Sequence, residues 1–131
     1  MPIAIHIIDD NAMFIETIET MFEIDLPDLK NIYKHTNPCA FLELVLEGKI
    51  SQTDFLIIDQ SMPQMLGTNL IKSILNKQQN KIVLFTGNEH QIMQDDLKYL
   101  ISHNIPIINK LELPRLIEYT ATYEQELRVC S

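Results

Sequence analysis

Short apolar runs alternate with segments of helical period along this chain, and this alternation restricts the fold more than any other feature. Three runs are β-branched and apolar on both faces, as buried parallel strands are: residues 3–8, 55–58 and 82–85. Residues 29–34 are more polar, and residues 105–108 contain Pro106, which cannot donate to a ladder. We therefore predict three central strands and two edge strands.

A helical pattern follows each predicted strand. In four intervals apolar residues recur at helical spacing, namely Phe14, Ile18, Met21 and Phe22, then Leu66, Leu70, Ile71, Ile74 and Leu75, then Met93, Leu97, Leu100 and Ile101, and finally Leu113, Leu116, Ile117 and Thr120. Residues 38–47 form a shorter predicted helix, with Pro38 in the first turn and Gly48 just past its end. The pattern predicts a single α/β domain over residues 1–131, a flavodoxin-like, doubly wound parallel sheet of order 2-1-3-4-5 with five helices.

Residues suited to phosphoryl chemistry stand where four of these strands end. They are Asp9 and Asp10, Asp59, Thr86, and Lys110. Because parallel strands present their carboxyl ends at one edge of the sheet, these side chains are expected to share one crevice at the switch point of the strand order.

Three carboxylates in one crevice require a positive partner. Each pair would repel by about 4 kcal/mol at a separation of about 4 Å and an effective dielectric constant of about 20. Mg²⁺ takes oxygen ligands and keeps room for phosphate oxygens, whereas the four histidines are scattered and favour no zinc site. We expect Mg²⁺ and no organic cofactor.

With a cation in place, one carboxylate can act as the nucleophile toward phosphorus. Asp59 is the central candidate, and the Lys110 ammonium and the Thr86 hydroxyl can stabilise the charge of the transferring group.

Composition excludes several other classes of function. Ten basic and eighteen acidic residues give a net charge of -8, with no basic cluster to hold a nucleic acid. No apolar run approaches the ~20 residues that span a bilayer, and the amino terminus lacks a signal-peptide pattern. A cytoplasmic protein without membrane contact is expected.

In residue type and order the chain resembles the receiver domain of bacterial two-component response regulators, of the chemotaxis-regulator kind. The resemblance is carried by Ile-Ile-Asp-Asp (7–10), Phe-Leu-Ile-Ile-Asp-Gln-Ser-Met-Pro (55–63), Val-Leu-Phe-Thr-Gly (83–87) and Ile-Ile-Asn-Lys (107–110).

The resemblance implies a phosphorylation switch rather than a metabolic enzyme, one that catalyses only its own phosphorylation and dephosphorylation. Asp59 would accept phosphate from a histidine kinase or a histidine phosphotransfer protein, and Thr86 and Lys110 would contact the phosphoryl group. Asp9, Asp10, Asp59 and the backbone carbonyl of Ser61 would hold Mg²⁺. An output protein is implied downstream, and a homodimer is compatible with this family.

Two positions depart from the family pattern. Ile107 occupies the position at which the family usually has an aromatic residue that swings inward as the threonine moves. Leu111 follows Lys110, where the family usually has a proline after a cis peptide bond. A non-proline cis bond costs about 3–4 kcal/mol. These departures leave open a pseudo-receiver that acts as a phosphorylation-independent interaction module.

Other interpretations also remain open at this stage. Asp10 or Asn11 can cap the following helix. His6 is expected to be a hydrogen-bonded core histidine, and His35 to lie in a loop or on the surface.

Two other functions are less consistent with the sequence. A phosphohydrolase of the haloacid dehalogenase type usually carries Asp-x-Asp on an early strand, unlike this chain. Flavin binding would need a phosphate-binding loop after the first strand, and this chain has none there.

Overall fold

The structure, a computed structural model, describes residues 3–29 and 31–130. Its strands are β1 (Ala4–Ile8), β2 (Asn31–His35), β3 (Phe55–Ile58), β4 (Lys81–Thr86) and β5 (Ile107–Asn109). Its helices are α1 (Ala12–Asp25), α2 (Pro38–Leu46), α3 (Gly67–Lys77), α4 (Gln94–Ser102) and α5 (Leu113–Cys130). A short 3₁₀ turn at Glu89–Gln91 precedes α4.

The five strands form one parallel sheet of order β2-β1-β3-β4-β5. The predicted α/β class, strand order and edge strands are therefore confirmed, and only strand ends differ. β5 begins after Pro106, whose carbonyl accepts a hydrogen bond from Leu84 N at 3.0 Å although its own nitrogen cannot donate. Leu29 lies in a turn before β2, and Lys30, which the predicted strand included, lies outside the described residues.

Two apolar clusters cover the two faces of the sheet. Ile5 and Ile7 of β1 belong to one cluster with α1 and α5, and Ile8 belongs to the other with α2 and α3. Because residues alternate between faces along a strand, the uniformly apolar central strands supply both clusters. The sheet is thereby held between two helical layers, and its carboxyl edge is left to carry polar residues.

The five predicted helices are confirmed. Pro38 is the first residue of α2, and Gly48 beyond its end has a φ of 75°, which glycine adopts without strain. Of the predicted α4 stripe only Leu100 is buried, while Met93, Leu97 and Ile101 are 68%, 37% and 67% exposed. The helix predicted from this spacing is present, and most of the apolar residues of the stripe lie on its outward face.

In the part of the chain that the structure describes, no helix is both long enough and apolar enough to cross a membrane.

Candidate functional site

Backbone hydrogen bonds hold the predicted site residues at the carboxyl edge of the sheet. Asp9 N donates to His35 O at 3.0 Å, Asp59 N donates to Ile8 O at 3.0 Å, and Lys110 N donates to Thr86 O at 3.1 Å. Each bond extends the parallel ladder by one residue beyond the strands. The main chains of Asp9, Asp59 and Lys110 are consequently fixed by their neighbouring strands.

The three acidic residues converge at this edge. One carboxylate oxygen from each of Asp9, Asp10 and Asp59 lies within 4.8 Å of the other two. Asp9 and Asp59 are 3% and 6% exposed, whereas Asp10 faces solvent. Three hard oxygen donors at this spacing, with one open side, suit a hydrated divalent cation.

Asn11 rather than Asp10 caps α1. Its side-chain oxygen accepts a hydrogen bond from Phe14 N at 3.1 Å, and its own amide donates to Asp9 Oδ1 at 2.9 Å. Of the two capping candidates that the sequence left open, Asn11 is the cap, and Asp10 belongs to the carboxylate cluster.

Lys110 carries the positive charge in the cluster. Its Nζ lies 2.8 Å from Asp9 Oδ2 and 3.3 Å from Asp59 Oδ1, and its side chain is 21% exposed. The same Nζ lies 4.4 Å from the centroid of the Phe14 ring. A single ammonium thus bridges two buried carboxylates that would otherwise repel.

The surroundings of the Asp59 carboxyl group favour its neutral, protonated form, relative to the same group in water. Burial, together with the neighbouring charge of Asp9, raises the pKa of the Asp59 carboxyl from 3.8 to about 6, against the opposing effects of Lys110 and of the Gln60 backbone amide. A cation bound to the cluster would favour the ionised, nucleophilic form.

Thr86 ends β4 and is fully buried. Its hydroxyl oxygen accepts a hydrogen bond from Asn88 N at 3.1 Å, so it also anchors the loop that follows the strand. Ser61 lies two residues beyond Asp59 in the loop between β3 and α3 and is exposed.

The two departures from the family pattern have different surroundings. Ile107 is partly buried and packs against the cluster that contains Leu84 and Leu100. Leu111 is 93% exposed, and the described residues contain no cis peptide bond, so Lys110 reaches both carboxylates from a trans backbone.

Gly67 shapes the site although sequence reasoning did not single it out. A Cβ at this position would lie 2.2 Å from the carbonyl oxygen of Asp59, and Gly67 N donates to Gln60 O at 2.9 Å. The first turn of α3 therefore sits directly against the main chain of the candidate nucleophile. The chain has only three glycines, so a glycine at the start of a predicted helix was the sequence signal that could have indicated a close backbone contact there.

A buried polar network that was also missed connects the residue after Asp59 to α4. Gln60 Oε1 accepts from Thr68 N at 2.9 Å, and Thr68 Oγ1 donates to Asp96 Oδ2 at 3.2 Å. Lys72 Nζ pairs with Asp96 Oδ1 at 2.6 Å. Because Gln60 and Thr68 are buried, these bonds satisfy groups that would be costly to leave unpaired.

A histidine network lies across β1 and β2. His6 is the predicted core histidine: it is 5% exposed, and its Nε2 lies 2.9 Å from Asp54 Oδ2. His6 Nδ1 lies 2.9 Å from His35 Nε2, so the prediction that His35 belongs to a loop or the surface is wrong. The His35 ring packs against the Phe41 ring, with the two centroids 4.6 Å apart. The polar sequence of this edge strand gave no sign of that packing.

Comparisons with known proteins agree with this architecture. The family model described as the response regulator receiver domain matches residues 5–117. A response regulator from Colwellia psychrerythraea is similar over 96% of this chain and 99% of its own, with 20% identity and a TM-score of 0.74. No curated protein sequence matches this chain significantly.

Two further solved structures are similar. The receiver domain of AraT from Geobacillus stearothermophilus has 25% identity and a TM-score of 0.72, covering 98% of this chain and 97% of its own. A response regulator from Burkholderia pseudomallei with a phosphorylated aspartic acid, a calcium ion and citrate has 17% identity and a TM-score of 0.69, covering 97% of this chain and 71% of its own.

The family match, on a doubly wound sheet with an acidic edge, assigns the chain to the class of signal-receiving domains. This chain belongs to the response regulator receiver domain family.

Proposed function

We propose that residues 1–131 form a single receiver domain that accepts a phosphoryl group on Asp59 from a phosphohistidine donor in the presence of Mg²⁺. The observation that carries this proposal is the buried Asp59 carboxylate, which stands 3.3 Å from the Lys110 ammonium and within a cluster of three carboxylates. The phosphorylated aspartic acid in the similar Burkholderia pseudomallei protein supports it.

Asp9, Asp10, Asp59 and the backbone carbonyl of Ser61 would hold the Mg²⁺. The all-oxygen donor set fits this ion, and the exposure of Asp10 leaves a side open to water and phosphate oxygens. When bound, the cation supplies positive charge that offsets the phosphoryl oxygens and keeps Asp59 ionised.

The residues of the chain then have separate roles. An Asp59 carboxylate oxygen attacks phosphorus as the bond from phosphorus to the donor imidazole nitrogen breaks, and the electron pair of that bond stays on the imidazole. Lys110 leaves its contact with Asp59 to pair with a phosphoryl oxygen, and the Thr86 hydroxyl donates to another. Attack by water on the acyl phosphate later regenerates the Asp59 carboxylate and releases phosphate. The domain is a switch rather than a metabolic enzyme.

The partners follow from this chemistry. A sensor histidine kinase or a histidine phosphotransfer protein supplies the phosphoryl group, and an output protein or a second copy of the domain reads the result. The exposed apolar residues Leu97 and Ile101 of α4, with Met93 just before the helix, offer a surface for such a contact. The net charge of -8 argues against direct contact with nucleic acid.

Mass spectrometry after treatment with a small phosphodonor and Mg²⁺ tests the proposal. We expect the wild-type protein to gain the mass of one phosphoryl group and Asp59→Asn to gain none. No added mass in the wild type, or an undiminished gain in Asp59→Asn, would refute the assignment.

An interaction module that does not respond to phosphorylation is the second candidate, and the packing of Ile107 into an apolar cluster is the observation that favours it. The retention of the three acids and the lysine favours the first candidate. NMR spectra with and without a beryllofluoride mimic separate the two, because unchanged signals around Thr86 and α4 would support the interaction module.

A further inference from the structure

The Lys110 ammonium has a neighbour that is neither charged nor polar, the ring of Phe14. Its Nζ lies 4.4 Å from the centroid of the Phe14 ring, inside the ~6 Å range in which a cation is attracted to an aromatic face. The lysine side chain is 21% exposed, so the contact is largely shielded from water. Such contacts are stronger where the cation is desolvated.

The Phe14 ring is itself held from two directions. Phe14 N donates to the capping side chain of Asn11 at 3.1 Å, which fixes the backbone at the start of α1. The ring stacks on Phe85 with centroids 5.8 Å apart, and Phe85 is buried next to Thr86. The aromatic face therefore has a defined position relative to the end of β4.

Two further contacts of Lys110 are with residues of the carboxylate cluster. Asp9 and Asp59 each contact the ammonium and also belong to the three-carboxylate group. A divalent cation on that group competes with the ammonium for the same oxygens. Phe14 offers no oxygen to a hard cation, so its contact with Lys110 does not depend on whether one is bound.

We propose that Phe14 is a positioning residue for Lys110: its ring face keeps the ammonium at the pocket when a cation engages the carboxylates. The lysine is then already in place to pair with a phosphoryl oxygen. The effect on phosphorylation rests on the proposed function, whereas the contact between Phe14 and Lys110 is present in the structure itself.

Fluorinated phenylalanines at position 14 test the catalytic consequence. Fluorine withdraws electron density from the ring face with little change in shape, so 4-fluoro-, 3,5-difluoro- and 3,4,5-trifluorophenylalanine weaken the attraction in steps. We expect the initial rate of Asp59 phosphorylation by a small phosphodonor in Mg²⁺ to fall stepwise, by about 3- to 30-fold over the series. Phe14→Tyr, which keeps an electron-rich face, should retain the rate.

The same fluorinated series at Phe22 is the matched control. Phe22 is a fully buried residue of α1 and belongs to the apolar cluster against which Phe14 packs. The phosphorylation rate should not change along the Phe22 series. A flat series at position 14, or a parallel fall at position 22, overturns the inference. Because these substitutions nearly preserve shape, the test does not depend on Phe14→Leu folding well.

NMR of the Lys110 side chain tests the contact without phosphorylation. In the metal-free wild-type protein, the ring current of Phe14 should shift the ε-methylene protons of Lys110 upfield, and Phe14→Leu should abolish that shift. The shift should persist when Mg²⁺ is added. Its absence in the wild type, or its loss on adding Mg²⁺, overturns the inference, whereas a wild type that shows the shift but gains no phosphate refutes the proposed function alone.

Discussion

Lys110 Nζ lies 2.8 Å from Asp9 Oδ2, although the two residues are 101 positions apart in the chain. The same ammonium lies 3.3 Å from Asp59 Oδ1, so one cation compensates two buried carboxylates. Because water reaches these groups poorly, their repulsion is only weakly screened. The stability of the metal-free protein should therefore depend on this lysine.

Replacing Lys110 with glutamine should lower the free energy of unfolding by about 1–3 kcal/mol near neutral pH, because two carboxylates lose their partner. Urea denaturation with a chelator present measures the change. Lys49→Gln is the matched control, since the pair of Lys49 with Glu47 is 62% and 54% exposed and is expected to contribute at most about 0.5 kcal/mol. Equal effects of the two substitutions would contradict the expectation.

Asp59→Asn should stabilise the metal-free protein near neutral pH. The pKa of Asp59 rises from 3.8 to about 6 on folding, so the folded state binds this proton more tightly than the unfolded chain. The stability of the wild type therefore falls as pH rises between these values and stays low above them.

We expect Asp59→Asn to be more stable than the wild type by about 1–3 kcal/mol at neutral pH, with the difference vanishing below about pH 4. Denaturation curves from pH 4 to 8 with a chelator measure it. A difference that does not vary with pH would show that ionisation of Asp59 is not its source.

The histidine network should give a pH dependence of the opposite sign. Burial, reinforced by the neighbouring His6, lowers the pKa of His35 from 6.5 to about 4, and burial also lowers the pKa of His6. In this window the unfolded chain binds more protons, so this contribution to stability increases as pH rises from about 4 to about 6.5.

In the Asp59→Asn background this rise should be visible, and His35→Gln should reduce its slope, leaving the part that comes from His6. His90→Gln, at an exposed position, is the control and should keep the slope. NMR titration of the His35 ring provides an independent measurement, and a midpoint near 6.5 would rule out the predicted shift.

Gly67→Ala should destabilise the protein by about 1–3 kcal/mol and weaken Mg²⁺ binding. The added methyl group would lie 2.2 Å from the Asp59 carbonyl oxygen, which forces α3 away from the site. Gly87→Ala is the matched control, because a Cβ there meets nothing within 4 Å. Thermal melting and a Mg²⁺ titration measure both effects, and similar behaviour of the two variants would count against a steric role for Gly67.

Much of the fold could be predicted because strand patterns carry direct physical information. A run such as Phe55–Ile58 is apolar at every position only where both faces of a strand are covered. Asp9 and Asp59 follow such runs, and parallel pairing places them at one edge of the sheet. Their proximity therefore follows from local pattern and topology together.

Local pattern does not say which face of a helix is covered or which strand supplies a partner. Met93, at the N-cap of α4, recurs at helical spacing with Leu97 and Ile101, and all three are exposed, whereas Leu100 of the same stripe is buried. His35 looks like a surface residue in its own segment, and only the neighbouring strand provides His6 as its partner.

The order of residue types along the chain determined the parallel sheet, its strand order and the acidic edge, because hydrophobic period and strand-end residues are local properties. Tertiary packing alone decided that Phe14 faces Lys110, that Gly67 touches the Asp59 main chain, and that Gln60 connects through Thr68 to Asp96. These contacts join residues from separate elements. Their distances depend on how the helices dock on the sheet, which no local pattern specifies.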